Sequence, residues 1–398
     1  MIGFGATLIL AMGVGTFLAF ALGALAPLLR RDLRLSRSQI GALTSVLFLT
    51  GALCSPVAGR LVDRFGGRTM QIVLFWVAGL ALVGVALAPS YPFVLLMVLV
   101  AGFPLSLANT ATNKLVGEHV PAGSQGILVG FKQSGVQIGA LIVGLLLPTG
   151  AILMGWRGIL LASTALPVLG VIATARLVPR TEALRRGRRG LGSMRVAVAW
   201  LAAYAFLMGV SVWTVGAYLP LYANERLGFD VSAAGFVAAV VALVAVVARL
   251  AWGRLADRRS SAPKLLALMA LGGVVAQALI IGAPSVGAWM IWTAAIVAGA
   301  TASAWNSVGM LAIVKDLDVD KAGQASGVVL LAFYGGSAIG PFVFGWAVDA
   351  TGGYTVGWII TLVGYLVAAG AAVAWTLADR PTVAVRDAEL GRWPSTGA

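Results

Sequence analysis

Twelve stretches of this chain, at 4–29, 38–58, 69–88, 92–115, 124–147, 157–178, 196–220, 231–252, 264–283, 286–314, 323–347 and 354–377, are almost wholly apolar. At 1.5 Å rise per residue, about 20 helical residues cross the ~30 Å hydrocarbon core of a bilayer. With no water there to satisfy backbone N–H and C=O groups, a spanning segment of this kind is helical. The chain is 60% hydrophobic and 11% charged, against about 25% charged in soluble domains. The expected fold class is therefore an all-α membrane protein with twelve transmembrane helices. The 51 glycines fit closely packed membrane helices.

The net charge of +14 lies mainly in short connecting loops, where it sets orientation rather than binding nucleic acid. With the N-terminus cytoplasmic, most of the 28 Lys and Arg residues face the cytoplasm. The main exception is the first outer loop, with Arg30, Arg31, Arg34 and Arg37. These could gather anions or bind lipid headgroups, and the sequence does not choose. Met1 leads into an apolar run too long for a signal-peptide core, so it is expected to be an uncleaved first helix. The expected location is the inner (plasma) membrane, multi-pass, with both termini cytoplasmic.

One cysteine, Cys54, and one histidine, His119, allow no intrachain disulfide and no Cys- or His-based metal centre. No phosphate-cradling G-x-x-x-x-G-K-[ST] run is present, and one histidine placed in a loop makes no Ser-His-Asp set. The expectations are no enzyme, no cofactor and no metal. The expected partners are a small-molecule substrate, the lipid bilayer and a coupling proton or counter-anion, with the protein a monomer.

The chain repeats itself. GRLVDRFGGR (59–68) returns as GRLADRR (253–259). At an offset of 194, Leu33, Ser38, Gly41, Asp63 and Arg64 meet Leu227, Ser232, Gly235, Asp257 and Arg258. Ser36 and Asp230 also correspond, both good N-cap types. Further on, Gly102, Ser106 and Asn109 meet Gly299, Ser303 and Asn306, and Gly126, Gly135, Gly139 and Gly144 meet Gly327, Gly336, Gly340 and Gly345. The expected organisation is a six-helix bundle over 1–178, a basic linker over 179–195, a second bundle over 196–377 and a polar tail over 378–398. Membrane proteins with two equivalent halves keep their working site between them.

Twelve spans, a central basic linker and G-x-L-x-D-R-x-G-x-R between spans two and three resemble the major facilitator superfamily. Gly59, Asp63, Arg64, Gly66 and Arg68 match its loop signature, and Gly253, Asp257 and Arg258 match a weaker second copy. The resemblance covers nearly the whole chain and implies two bundles rocking about a central cavity lined by spans 1, 4, 7, 10, 2, 5, 8 and 11. It also implies that Asp63 and Asp257 each face a helix start of the opposite half, spans eleven and five, where the helix dipole favours a carboxylate. Gly59, Asp63, Arg64, Arg68, Gly253, Asp257 and Arg258 are thus expected to gate, with the outward-open state stabilised. Span five lacks the Gly-Pro pair of drug antiporters, and Gly340-Pro341 stands in span eleven instead. That departure counts against drug efflux.

Lys132 is the sharpest candidate for substrate binding, because a mid-helix lysine costs roughly 2.5–3.5 kcal/mol to insert. Helical spacing puts it on one polar arc with Gln133 and Gln137. Asn109 with Ser106, and Asn306 with Ser303, offer a polar wall on each half, with interhelical gluing as the competing role. Tyr334, which corresponds to Gln133, and Trp213 are candidate cavity aromatics. Arg249, one turn before Gly253, is expected in a gating ion pair with a loop acid. All 14 acids fall in loops, helix ends or the tail, which argues against a carboxylate proton relay in mid-membrane. The expected function is secondary transport of a small organic or inorganic anion. The alternative is a carrier or exporter of neutral or lipophilic compounds, with Lys132 structural.

Overall fold

The computed structural model describes residues 2–121, 125–179, 196–258, 261–316 and 319–378. The expected linker, apart from Pro179, and all but the first residue of the expected tail lie outside them. Fourteen helices follow in order: α1 Ile2–Ala24, α2 Ala26–Leu33, α3 Arg37–Phe65, α4 Gly67–Ala86, α5 Tyr91–His119, α6 Gln125–Ser163, α7 Ala165–Leu177, α8 Val196–Leu227, α9 Val231–Arg258, α10 Ala262–Val286, α11 Trp289–Ala300, α12 Trp305–Asp316, α13 Val319–Thr351 and α14 Thr355–Ala378.

These make the twelve expected traverses, with different edges. α1 and α2 form one traverse, as do α11 and α12. The long α6 holds the fifth and begins the sixth, which α7 completes, because Gly155 takes φ 75° and ψ 160°, a left-handed φ that glycine adopts without strain. The chain folds back there. Gly150 packs against Ile159, although nine residues of straight helix would separate them by about 13 Å. α3 and α5 run to Phe65 and His119, beyond the expected edges at 58 and 115. The expected caps form: Ser36 accepts from Gln39 N in a capping box, and Asp230 accepts from Ala233 N at 2.8 Å.

α1–α7 pack as one half and α8–α14 as the other. Each half uses its glycine repeat the same way. Gly135 and Gly139 lie on the backbone of α1, and Gly336 and Gly340 lie on the backbone of α8. Between the halves, α3 packs on α13 and α6 on α9. The repeated pair Gly41 and Gly235 makes those two crossings possible. A Cβ on Gly41 would collide with the Pro341 carbonyl, and one on Gly235 with the Pro148 ring. The outer surface carries large apolar side chains such as Leu53, Leu153 and Trp76, as a lipid-facing surface does.

The two ends of the molecule differ. One, here the linker end, holds the α3–α4 junction and the last turn of α7. The opposite, far end holds the α2–α3 junction. Among the described residues, hydrogen bonds and ion pairs between the halves run from the far end to Arg249.

Candidate functional site between the two halves

At mid-depth a polar belt crosses from one half to the other. The Tyr334 hydroxyl of α13 lies beside the Asn109 side chain on α5. Gln133 of α6 donates its Nε2–H to Asn109 Oδ1 at 3.0 Å. Arg249 of α9 donates to the Gln133 main-chain carbonyl at 3.2 Å and to the Ser303 carbonyl at 3.3 Å. Two halves, four helices and one fixed positive charge therefore meet in one chain of contacts. Tyr334 and Gln133, equivalent positions of the repeat, share Asn109.

The Ser303 carbonyl is available because the tenth traverse breaks. Thr301 leaves helical geometry at φ −123° and ψ −85°, and a single 3-10 turn, Ala302–Ala304, precedes α12. The break frees carbonyls that a continuous helix would consume. Trp252 Nε1 takes the Ala300 carbonyl at 2.6 Å and Arg249 takes Ser303. Among the described side chains Arg249 makes no ion pair, and those of the loop acids Asp257 and Asp316 lie outside them. It lies on the face of α9 that meets Gln133 and Ser303, while the acids sit at helix ends. Its buried Nε atom has no hydrogen-bond partner.

The polar arc expected on α6 is split. Gln133 joins the belt, but Lys132, 100° further round the helix, turns into its own half. It is fully buried, and its Nζ donates to Thr112 Oγ1 at 2.7 Å, beside Met12 of α1. Gln137 is buried one turn on from Gln133. Ser303 meets Arg249 through its carbonyl rather than its hydroxyl, and Asn306 is half-buried on α12. Ser106 turns back to the Phe103 carbonyl of its own helix.

On the far side of the belt lies an aromatic cluster. Trp213 of α8 stands between Phe20 of α1 and Phe48 of α3, with ring centroids 4.9 and 4.3 Å away. Phe48 also meets Tyr334 at 5.7 Å. Sequence reasoning singled out Trp213 and Tyr334 but missed Phe20 and Phe48, since a phenylalanine in an apolar run carries no signal of its own.

The far end closes with a latch that sequence reasoning also missed. Glu225, at the end of α8, accepts from Arg30 Nη1 and from Arg37 Nε and Nη2 at 3.1 and 2.8 Å. Tyr354 donates to the same carboxylate at 2.8 Å. Asp349 of α13 accepts the Arg37 and Ser38 backbone N–H groups at 3.1 and 2.8 Å, capping α3 from the opposite half. Tyr218 donates to the Arg37 and Pro341 carbonyls. The usable signal was opposite charge: Glu225 and Asp349 end their helices on the same side as the first-loop arginines.

At the linker end, Asp63 is exposed and pairs with Lys114 of its own half at 3.3 Å. Arg68 donates to the Ala175 carbonyl at 2.8 Å, and Arg64 lies over the Phe65 ring. Gly59 and Gly253 have open space beside them. The side chains of Asp257 and Arg258 lie outside the described residues.

Two helical halves with a polar, positively charged belt between them define a multi-pass membrane carrier rather than an enzyme. The chain belongs to the Major Facilitator Superfamily, whose profile matches residues 5–341, and it is a secondary transporter. It is 25% identical over 406 residues to the "Probable sulfoacetate transporter SauU" of Cupriavidus necator, covering 92% of this chain and 91% of that protein. It is 28% identical over 399 residues to the "Probable nitrate/nitrite transporter NarK2" of Mycobacterium tuberculosis, covering 92% and 95%. Its fold is similar to the crystal structure of a bacterial homolog of the human lysosomal transporter Spinster in an inward-facing and occupied conformation, with a TM-score of 0.75, 18% identity and 98% of each chain covered.

Proposed function

We propose that this transporter carries a small anion, held in the belt by Arg249. The observation that carries this reading is a buried guanidinium that, among the described residues, bonds only to main-chain carbonyls and has no carboxylate beside it. A cation at that depth is costly without a counter-charge, and a planar fork suits a carboxylate or another oxyanion. Asn109, Gln133, Gln137 and Tyr334 supply hydrogen bonds nearby, with Ser303 and Asn306 on the opposite wall. Lys132 adds positive charge one residue from Gln133. Its bond to Thr112 favours a positioning role for that residue. The names of the relatives, sulfoacetate and nitrate/nitrite carriers, agree with an anionic cargo.

In this reading the linker end faces the cytoplasm of a bacterial inner membrane and the far end faces outward. The structure then represents the state closed to the outside, with the latch made and Asp63 released. Alternating access consists of breaking the latch while Asp63 and Asp257 reach the helix starts of the opposite half. Because the acids lie at helix ends, coupling falls to a second anion or to a proton carried by the substrate. The working unit is a monomer.

Counterflow in proteoliposomes loaded with nitrate, acetate, benzoate or a neutral sugar tests the reading. Arg249→Gln should lower anion flux roughly 10- to 100-fold, the worth of charge-assisted hydrogen bonds. Arg249→Lys, which keeps the charge but not the fork, should recover only part. Anion flux unchanged in Arg249→Gln would overturn the assignment.

A further inference from the structure

The aromatic cluster beside the belt has a property that sealing a path does not require. Trp213 is 7% exposed, yet its Nε1–H has no hydrogen-bond partner. A phenyl ring in the same place would fill the space without burying an unpaired donor, which is costly in an apolar interior. Trp358 and Trp375 also bury an unpaired N–H, but the ring contacts of Trp358 are with Tyr222 and Phe344 of its own half, and Trp375 packs in a cluster of second-half residues. Trp213 sits where the halves meet, against Phe20 and Phe48 of the other half.

The cluster and the belt are continuous. Tyr334 belongs to both, meeting the Phe48 ring at 5.7 Å and lying beside the Asn109 side chain. From Asn109 the contacts pass through Gln133 to Arg249. A ligand held by the guanidinium therefore has ring faces, an unused N–H and amides on its far side. Nitrate or acetate would satisfy the charge and leave the rings and the indole untouched.

We propose that the anion is an aromatic carboxylate. Its carboxylate pairs with Arg249, and its ring packs against Trp213 and Phe48. A ring substituent with a lone pair, such as a hydroxyl, accepts the Trp213 N–H. This rests on the anion reading above and adds the substrate class. Flat rings gain from offset or edge contacts with aromatic side chains beyond their area burial, and a few placed polar groups fix orientation in such sites.

The test is calorimetric titration of the purified full-length protein at neutral pH with 4-hydroxybenzoate, benzoate, cyclohexanecarboxylate, acetate and nitrate. Cyclohexanecarboxylate matches the charge and approximate size of benzoate without its π face. Benzoate should bind about tenfold tighter than cyclohexanecarboxylate, and 4-hydroxybenzoate tighter still. Trp213→Phe should keep the benzoate preference and lose the added gain of the hydroxyl. Trp213→Leu should erase the preference while acetate and nitrate still bind. Phe48→Leu, which keeps the indole, should narrow it and serves if Trp213→Leu fails to fold. Acetate or nitrate binding as tightly as benzoate, or a ring preference that survives both leucine variants, would overturn the proposal while leaving the anion reading intact. Absence of binding by every anion would overturn both.

Discussion

The two ends of this transporter use the same device in opposite conditions. At the far end Asp349, on the last turns of α13, caps the start of α3 across the interface, and Glu225 gathers Arg30, Arg37 and Tyr354 around one carboxylate. At the linker end Asp63 stands 74% exposed on its side chain and holds only Lys114 of its own half. A carboxylate thus caps a helix start of the opposite half at the far end, while at the linker end Asp63 pairs within its own half. A two-state equilibrium biased by contacts that exist in only one state needs just such an arrangement.

The largest effect should come from cutting the latch at its hub. Glu225→Gln leaves Arg30 and Arg37 without their shared carboxylate. Charged hydrogen bonds are worth ~1.5–3 kcal/mol, so the ratio of closed to open at the far end should fall roughly 10- to 100-fold. Spin-label distances between Arg34→Cys and Gly353→Cys in a Cys54→Ser background measure it. An unchanged distance distribution would mean that the glycine crossings at Gly41 and Gly235, not the latch, hold that end shut.

A smaller effect of opposite sign is expected at the other end. Asp63→Asn removes a carboxylate that here pairs only within its own half, so relative to a state in which it reaches a helix start of the opposite half the latched state should gain by ~0.3–1 kcal/mol. Transport should fall while substrate affinity stays largely intact. Equal loss of binding and transport would show that Asp63 does more than gate.

The smallest effect belongs to a contact within one half. Asp32 bonds Arg157 and the Trp156 indole at the far end without crossing the interface. The Arg157 guanidinium holds the Asp32 carboxyl below the usual carboxylate range, outweighing the opposing effect of burial. A carboxyl lowered on folding contributes stability above its unfolded pKa and loses it as pH falls through the folded value. The clasp should therefore be fully present at neutral pH and fade only below about pH 4. Since both side chains are more than a third exposed, Asp32→Asn should cost at most ~1 kcal/mol at pH 7, read as thermal stability. It should leave the far-end label distances unchanged. A shift in those distances would mean that the clasp also sets the gate.

Much of the architecture was legible because bilayer physics leaves few choices. Run length forced the twelve traverses, and the offset repeats placed the halves. Ser36 and Asp230 showed themselves as caps by residue type alone. The Gly135–Gly139 and Gly336–Gly340 pairs read correctly as packing positions. Less was legible at the site. Gln133, Asn109 and Tyr334 were chosen on polarity and meet in the belt. Lys132 was grouped with them by an arc too wide to separate neighbours 100° apart on a helix, and it faces inward. Arg249 was assigned an acid partner because sequence cannot show that α11 breaks before Ser303 and offers carbonyls instead.

The sequence by itself determined that this chain spans a membrane, that it does so twelve times in two related halves, and which residues are too polar to face lipid. Those facts follow from local energetics, since each segment meets the bilayer largely on its own. Only the tertiary structure decided which polar groups share a site, that Arg30 and Arg37 hold Glu225, and that Trp213 meets rings of the other half. Those depend on helix rotation and on which end is closed. Both are set by glycine crossings and ion pairs between residues far apart in the chain, which no local pattern records.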